Sequence, residues 1–352
     1  MITLGIESTA HTFGVGIIGP KKENNNKNGE NDNNNPKISK DQILANVIDA
    51  YSSETGGIHP SLAKQHHEKV RYEVIQKALD QAGISEKDIE LISFSMGPGL
   101  PPCLVVGMNT AKELAAKLKV PLIGVNHCIA HLEIGRHLTK AKNPVLLYVS
   151  GANTQIIAYE ANKFRIFGET LDQGCGNFID AFARHTGIGF PGGPKIDALA
   201  RSAMTRPGGP QFLELPYAVK GMDMSFSGLL TNLKQKYDSK KYTLEDLSYS
   251  MQETVFAMLL EVSERALNHC QKDELLLGGG VCCNSRLQEM AQKMCEEGGF
   301  KCFIPPRPVL VDNAAMIAWQ GLLEHRAGTR MKAENIDIMP NWRTDMVDVR
   351  WR

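Results

Sequence analysis

The chain has no excess of either charge: 39 Lys and Arg stand against 39 Asp and Glu in 352 residues. Capture of nucleic acid by bulk charge alone is therefore excluded, and such a partner has to be met by a local patch or a helper subunit. No apolar run approaches the roughly 20 residues of a membrane span, so no membrane partner is expected. The first apolar stretch contains Glu7 and has no basic flank, so no leader segment is expected there. The eight cysteines (103, 128, 175, 270, 282, 283, 295 and 302) include no CxxC pair. That scatter points to reduced thiols and to the cytoplasm or nucleus. Also missing are the phosphate loop GxxxxGK[ST] and the dinucleotide turn GxGxxG.

What is present suits a folded chain of two domains, with 42% hydrophobic and 22% charged residues. Two β-prone runs, Ile2–Ile6 and Gly14–Ile18, flank a polar turn. An Asn-rich insertion at 21–36 follows, with nothing to bury. A third strand is expected at Gln42–Tyr51, then a helix at Ser61–Ala82, a strand at Leu91–Ser95, a helix at Cys103–Leu118, a strand at Leu122–Val125 and a helix from Asn126 to Leu138. The pattern restarts after Asn143-Pro144. Strands are expected at Val145–Val149, Gln155–Tyr159 and Phe164–Gly168, a helix near Asn177–Thr186, a strand at Glu274–Leu277, a helix near Asn284–Glu297, a strand at Cys302–Ile304 and a helix near Asn313–Leu323. This divides the chain into an N-terminal lobe (1–138), a C-terminal lobe (144–326) with a helical insertion at about 187–245, and a tail (327–352) returning to the first lobe. Two such α/β lobes face a cleft, and ligands sit where strands end in glycine turns.

The sharpest cluster is Asn126-His127-Cys128-Ile129-Ala130-His131. Residues four apart share one helix face, so both imidazoles can reach a single metal. Spacing alone leaves open two unrelated polar residues. A zinc protease needs HExxH, but Cys128 stands where the glutamate belongs, and Glu133 falls on another helical face. A third ligand has to come from elsewhere. Asp312 stands at a strand-to-helix junction, where an ordinary N-cap is the competing role. Four glycine turns, Gly97-Pro98-Gly99, Gly151-Ala152-Asn153, Gly192-Gly193-Pro194 and Gly278-Gly279-Gly280, let backbone amides approach phosphate. Asp172, Asp180 and Asp197 lie beside such turns, as ribose ligands or helix caps. His66 and His67 are adjacent, point apart, and read as surface or gating residues.

The strings Gly5-Ile6-Glu7-Ser8-Thr9-Ala10-His11-Thr12, Asn126–His131, Tyr148-Val149-Ser150-Gly151, Phe190-Pro191-Gly192-Gly193-Pro194, Ser225-Phe226-Ser227-Gly228 and Asp312-Asn313-Ala314-Ala315-Met316 resemble the threonylcarbamoyl-transferase family. This is the catalytic subunit of the KEOPS complex, long mislabelled an O-sialoglycoprotein endopeptidase. The likeness runs in order along the chain, and Trp342–Val347 resembles the archaeal and eukaryotic-cytosolic branch. It implies an actin-like, Hsp70-like ATPase fold of two duplicated RNase H-like lobes. It implies one divalent ion, iron or zinc ahead of magnesium, on His127, His131, Tyr148 and Asp312. It also implies an adenine nucleotide (threonylcarbamoyl-AMP, ATP or AMP) lined by Tyr148, Val149, Ser150, Gly151, Ala152, Asp180, Gly193, Asp197 and Asn284. Implied partners are tRNA, a small atypical protein kinase and small helper subunits, the helpers docking on the helices at 61–82 and 103–118.

The activity implied is transfer of a threonylcarbamoyl group to the adenosine beside the tRNA anticodon, with His11 as candidate base. In this reading the two imidazoles come from one lobe and the carboxylate from the other. The chain departs from the family at Ala152, where glycine is usual, at Ser61 after His59-Pro60, where arginine is usual, and in the Asn-rich insertion. The competing readings are a nucleotide-binding regulatory or scaffold protein of the same fold, and a metallo-glycoprotease dependent on Glu133.

Overall fold

The computed structural model describes residues 1–20, 41–53 and 57–352; the insertion expected at 21–36 lies outside the described residues. The first half runs β1 (Thr3–Glu7), β2 (Thr12–Pro20), β3 (Asp41–Ala50), α1 (Pro60–Ala82), β4 (Leu91–Gly97), α2 (Pro101–Leu118), β5 (Leu122–Asn126) and α3 (His127–Thr139). The second half opens with β6 (Val145–Val149), β7 (Thr154–Glu160) and β8 (Lys163–Glu169). There follow α4 (Cys175–His185), α5 (Gly193–Thr205), the two-strand β9 (Val219–Lys220) and β10 (Asp223–Met224), α6 (Ser227–Asp238) and α7 (Leu244–His269). It closes with β11 (Glu274–Gly278), α8 (Ser285–Gly298), β12 (Lys301–Phe303), α9 (Arg307–Leu310) and α10 (Ala314–Arg326). The two sheets have the orders β3-β2-β1-β4-β5 and β8-β7-β6-β11-β12. In each, the first three strands are antiparallel and the last two join in parallel, so the halves match strand for strand.

Strand alternation decides what each face meets. Leu4, Ile6, Phe13, Val15 and Ile17 point to one side of the first sheet, against Val74, Ile75, Leu79 and Leu114 of α1 and α2. Gly5 and Gly16, directly paired across β1 and β2, point to the other side. There they leave a slot so shallow that a Cβ on Gly16 would stand 2.2 Å from the backbone nitrogen of Ala315, and one on Gly5 2.3 Å from that of Ala318. The small residues of α10 fill this slot.

That seating redraws the C-terminal lobe expected at 144–326: α10 belongs to the first sheet, because two glycines face it there and nothing larger fits. In exchange, α3 packs Cys128, Ile129 and Leu132 against Leu146, Tyr148 and Ile157 of the second sheet. Each half thus ends in a helix laid on the other half's sheet. No helix is expected from the sequence between 245 and Glu274, yet α7 is the long helix backing β6, β7 and β8. Its buried Ser248, Ser250, Gln252 and Thr254 interrupt the apolar pattern. It, rather than the helix near 177–186, is the counterpart of α1.

The tail returns to the first lobe for only part of its length. Met339 N–H donates to Met96 O at 2.8 Å and Gly99 N–H to Pro340 O at 3.1 Å, on the first lobe. The chain then crosses over: Arg343 pairs with Glu169 on β8 at 3.2 Å, and Trp351 lies against Phe164. Among the described residues no helix is long and apolar enough to cross a membrane.

Candidate functional site

Asn126 ends β5 and caps α3: its side-chain oxygen accepts the N–H groups of Cys128 and Ile129 at 3.0 and 3.2 Å. His127 and His131 therefore occupy the first two turns of a helix wedged between the sheets, and both are almost fully buried. Asn313 caps α10 by accepting the Met316 N–H at 3.0 Å, which frees Asp312 from that role. Asp312 instead turns its Oδ1 to His127 Nε2 at 3.3 Å and His131 Nε2 at 3.4 Å. The ligand atoms of these three residues lie within 4.8 Å of one another.

The carboxylate thus arrives on the lead-in to a helix of the first sheet, not from the second lobe. Tyr148 supplies the second lobe's part. Alternation along β6 sends Leu146 and Tyr148 toward α3, and the Tyr148 ring lies 5.2 Å from that of His131.

Among the described residues the buried hydroxyl of Tyr148 and Nδ1 of His131 have no hydrogen-bond partner, and Nε2 of His131 has only the Asp312 carboxylate facing it, at 3.4 Å. Buried polar atoms are rarely left so, and a divalent ion among imidazole, phenol and carboxylate satisfies the Tyr148 hydroxyl and the His131 Nε2 that faces Asp312. The residues fit such an ion. Burial lowers the His131 pKa and raises that of Tyr148 well above its ordinary value. Burial also opposes charge on His127 and Asp312. Glu7 and Asp312 nevertheless hold His127 well above the usual imidazole range, and the two imidazoles hold Asp312 well below the usual carboxylate range.

Glu7 was given no site role from the sequence, standing there as a mark against a leader and as part of the first family-like string. It is fully buried, with Oε2 2.9 Å from His127 Nδ1. A carboxylate closing an apolar five-residue strand was the available signal.

The residues implied for the nucleotide form a second, contiguous group. Gly279, at φ 92°, follows β11 so closely on β6 that a Cβ there would stand 2.3 Å from the Val149 carbonyl oxygen. Asn284 accepts the N–H groups of Arg286 and Leu287 and donates to Asp197 at 3.1 Å. Asp197 also pairs with Arg201. Asp180 accepts the Gly192 N–H at 2.8 Å, and burial raises its pKa. A Cβ on Gly193 would meet open space.

Several expectations change here. Val149 points into the second lobe's core beside Leu147 and Phe178, so only its backbone is on offer. The carbonyls of Ser150 and Gly151 accept from Gly176 and Asn177 at 3.0 and 2.8 Å, while the Ala152 methyl is exposed and has room. Asp172 caps α6 through Phe226 and Ser227. His67 is no surface residue: it is fully buried, and its Nδ1 lies 2.9 Å from Ser8 Oγ. The His11 ring lies outside the three-residue cluster, edge-on to Phe190. Glu133 is engaged by Arg136, by Trp351 Nε1 at 3.1 Å and by Arg352 Nε at 3.0 Å. It therefore faces the tail rather than the histidines, which removes the protease reading.

The family model described as tRNA N6-adenosine threonylcarbamoyltransferase matches residues 42–319. The protein of that name from Thermococcus kodakarensis is 50% identical over 351 residues, covering all of both chains. The chain belongs to the tRNA N6-adenosine threonylcarbamoyltransferase family. It is also 48% identical over 351 residues to a probable bifunctional tRNA threonylcarbamoyladenosine biosynthesis protein of Thermoplasma volcanium, spanning 62% of that longer chain. In fold it is similar to HypF of T. kodakarensis, with a TM-score of 0.59, 13% identity, and coverage of 95% of this chain and 49% of that one. The fold is the actin-like ATPase fold, and the protein is a transferase of this family.

Proposed function

We propose that the chain transfers the threonylcarbamoyl group from threonylcarbamoyl-AMP to N6 of the adenosine at position 37, 3′ of the anticodon, in tRNAs reading codons that begin with A. The observation that carries this is the meeting of two buried imidazoles and a carboxylate beside the ends of β6 and β11, within a chain of this family. A divalent ion on His127, His131, Asp312 and Tyr148 supplies, when bound, a positive centre that polarises a carbonyl and offsets phosphate charge.

The rest falls to the protein. The open side of Gly193, with Asp180, Asp197 and Asn284 around it, receives the adenylate and orients it. Tyr148 and the apolar seam of α3 against β6 keep water from the acyl group. His11, opposite Phe190, takes the proton of the attacking amine.

A chain with balanced charge draws tRNA affinity from partners, here the other KEOPS subunits, in the cytoplasm and nucleus. The face of α1 and α2, joined by Tyr72 to Glu113 at 3.0 Å and with Leu62 exposed, suits a small helper subunit. Reconstitution with purified adenylate donor, tRNA and partner subunits, with and without chelator, tests the reading by nucleoside mass spectrometry. Chelator-sensitive formation of the modified adenosine is expected; formation that chelator leaves unchanged contradicts the cation's part.

A further inference from the structure

The two imidazoles are held in different ways. His131 has no partner on Nδ1 among the described residues; it is oriented by packing, with the Tyr148 ring 5.2 Å away, and its Nε2 faces Asp312 at 3.4 Å. His127 is held by a carboxylate. Glu7 Oε2 lies 2.9 Å from its Nδ1, while Glu7 Oε1 accepts the Thr9 N–H at 2.8 Å and also the Thr9 hydroxyl. Glu7 is fully buried, so no water competes for these positions.

An ionised carboxylate offers only acceptors, so the ring nitrogen facing it has to carry hydrogen. In the neutral imidazole the lone pair then sits on Nε2, the nitrogen that faces Asp312 at 3.3 Å. We propose that Glu7 is a positioning residue for the cation site: it fixes His127 as the Nδ1–H tautomer, with Nε2 turned to the ion.

The inference rests on the cation reading above and adds to it a residue that acts through His127. Three donors converge on Glu7: the Thr9 amide, the Thr9 hydroxyl and the His127 ring. Glutamine cannot serve them all. With its oxygen toward Thr9, its NH2 group meets Nδ1 and favours the wrong tautomer. With its oxygen toward the ring, its NH2 group meets the Thr9 N–H.

The test measures Zn2+ affinity, by competition with a chromophoric chelator, for the unaltered protein, Glu7→Gln and His127→Ala. The visible spectrum of bound Co2+ reports the ligand set, and thermal melting without metal reports the fold. Glu7→Gln is expected to bind Zn2+ about 10- to 100-fold more weakly, with a changed Co2+ spectrum. His127→Ala is expected to lose most binding. Should Glu7→Gln fail to fold, Glu7→Asp is read instead; it keeps the charge but falls short of the ring, and the same loss is expected.

A folded Glu7 variant with unchanged affinity and spectrum, beside a His127→Ala variant that has lost the ion, overturns the role of Glu7 alone. An unaltered protein that binds neither Zn2+ nor Co2+ at this site overturns the cation reading and this inference together.

Discussion

The two sheets share one strand order, yet they receive their covering helices in opposite ways. On the first, the cross-strand pair facing α10 is Gly5 with Gly16, and helix backbone lies directly on strand backbone. On the second, the corresponding pair facing α3 is Leu146 with Ile157, and the helix rides on side chains. The backbone seat leaves α10 a single position and so fixes Asp312, two residues ahead of it. The side-chain seat holds α3 farther off, which gives the imidazoles and Tyr148 depth in which to meet. One lobe supplies placement and the other supplies room.

Breaking the first seat should do the most damage. Gly16→Leu puts a side chain where even a Cβ would stand 2.2 Å from helix backbone. The expected outcome is loss of α10 docking, seen as poor yield or a collapsed melting transition, and loss of Zn2+ binding with it. The matching change on the second sheet, Leu146→Ala, removes packing without moving backbone. It should cost about 2–5 kcal/mol in denaturant unfolding and leave one Zn2+ bound per chain. Equal loss of the ion in both variants would mean that the seats do not differ in kind.

The first lobe's other side carries a pH dependence of its own. Burial lowers the His67 pKa to about 4, whereas an unfolded imidazole titrates near 6.5. Between these values the unfolded chain binds a proton that the folded chain refuses. Stability is therefore full above about pH 6.5 and falls by up to about 3 kcal/mol as pH drops toward 4. His67→Gln should flatten that slope, as read from urea midpoints across the range. The smallest effect on stability is expected on the second lobe, at Gly193, where a side chain meets open space. Gly193→Leu should fold and hold Zn2+ normally while binding AMP at least about tenfold more weakly, or about 1.4 kcal/mol, by calorimetry.

Much of this was legible in the residues. The paired histidines read correctly as one helix face because Asn126 caps that helix, and the repeated strand pattern follows from period-two runs such as Phe13, Val15 and Ile17. The placement of α10 was not legible, since two glycines within strands look like weak strand formers until the helix that needs them is in place. Polar residues buried along α7 blurred its period in the same way. Asp312 reads as a possible cap, and only the hydrogen bonds show that Asn313 caps the helix in its place. Glu7 and His67 were missed because burial of a polar group depends on a partner distant in sequence: 120 positions away for Glu7 and 59 for His67.

The most direct test of the central claim is the turnover of tRNA by a His127→Ala/His131→Ala double variant, read as modified adenosine by nucleoside mass spectrometry. Fold is checked by melting, and donor and partner subunits are supplied in excess. The account expects a folded protein whose product falls to background; product formed at the unaltered rate would contradict it.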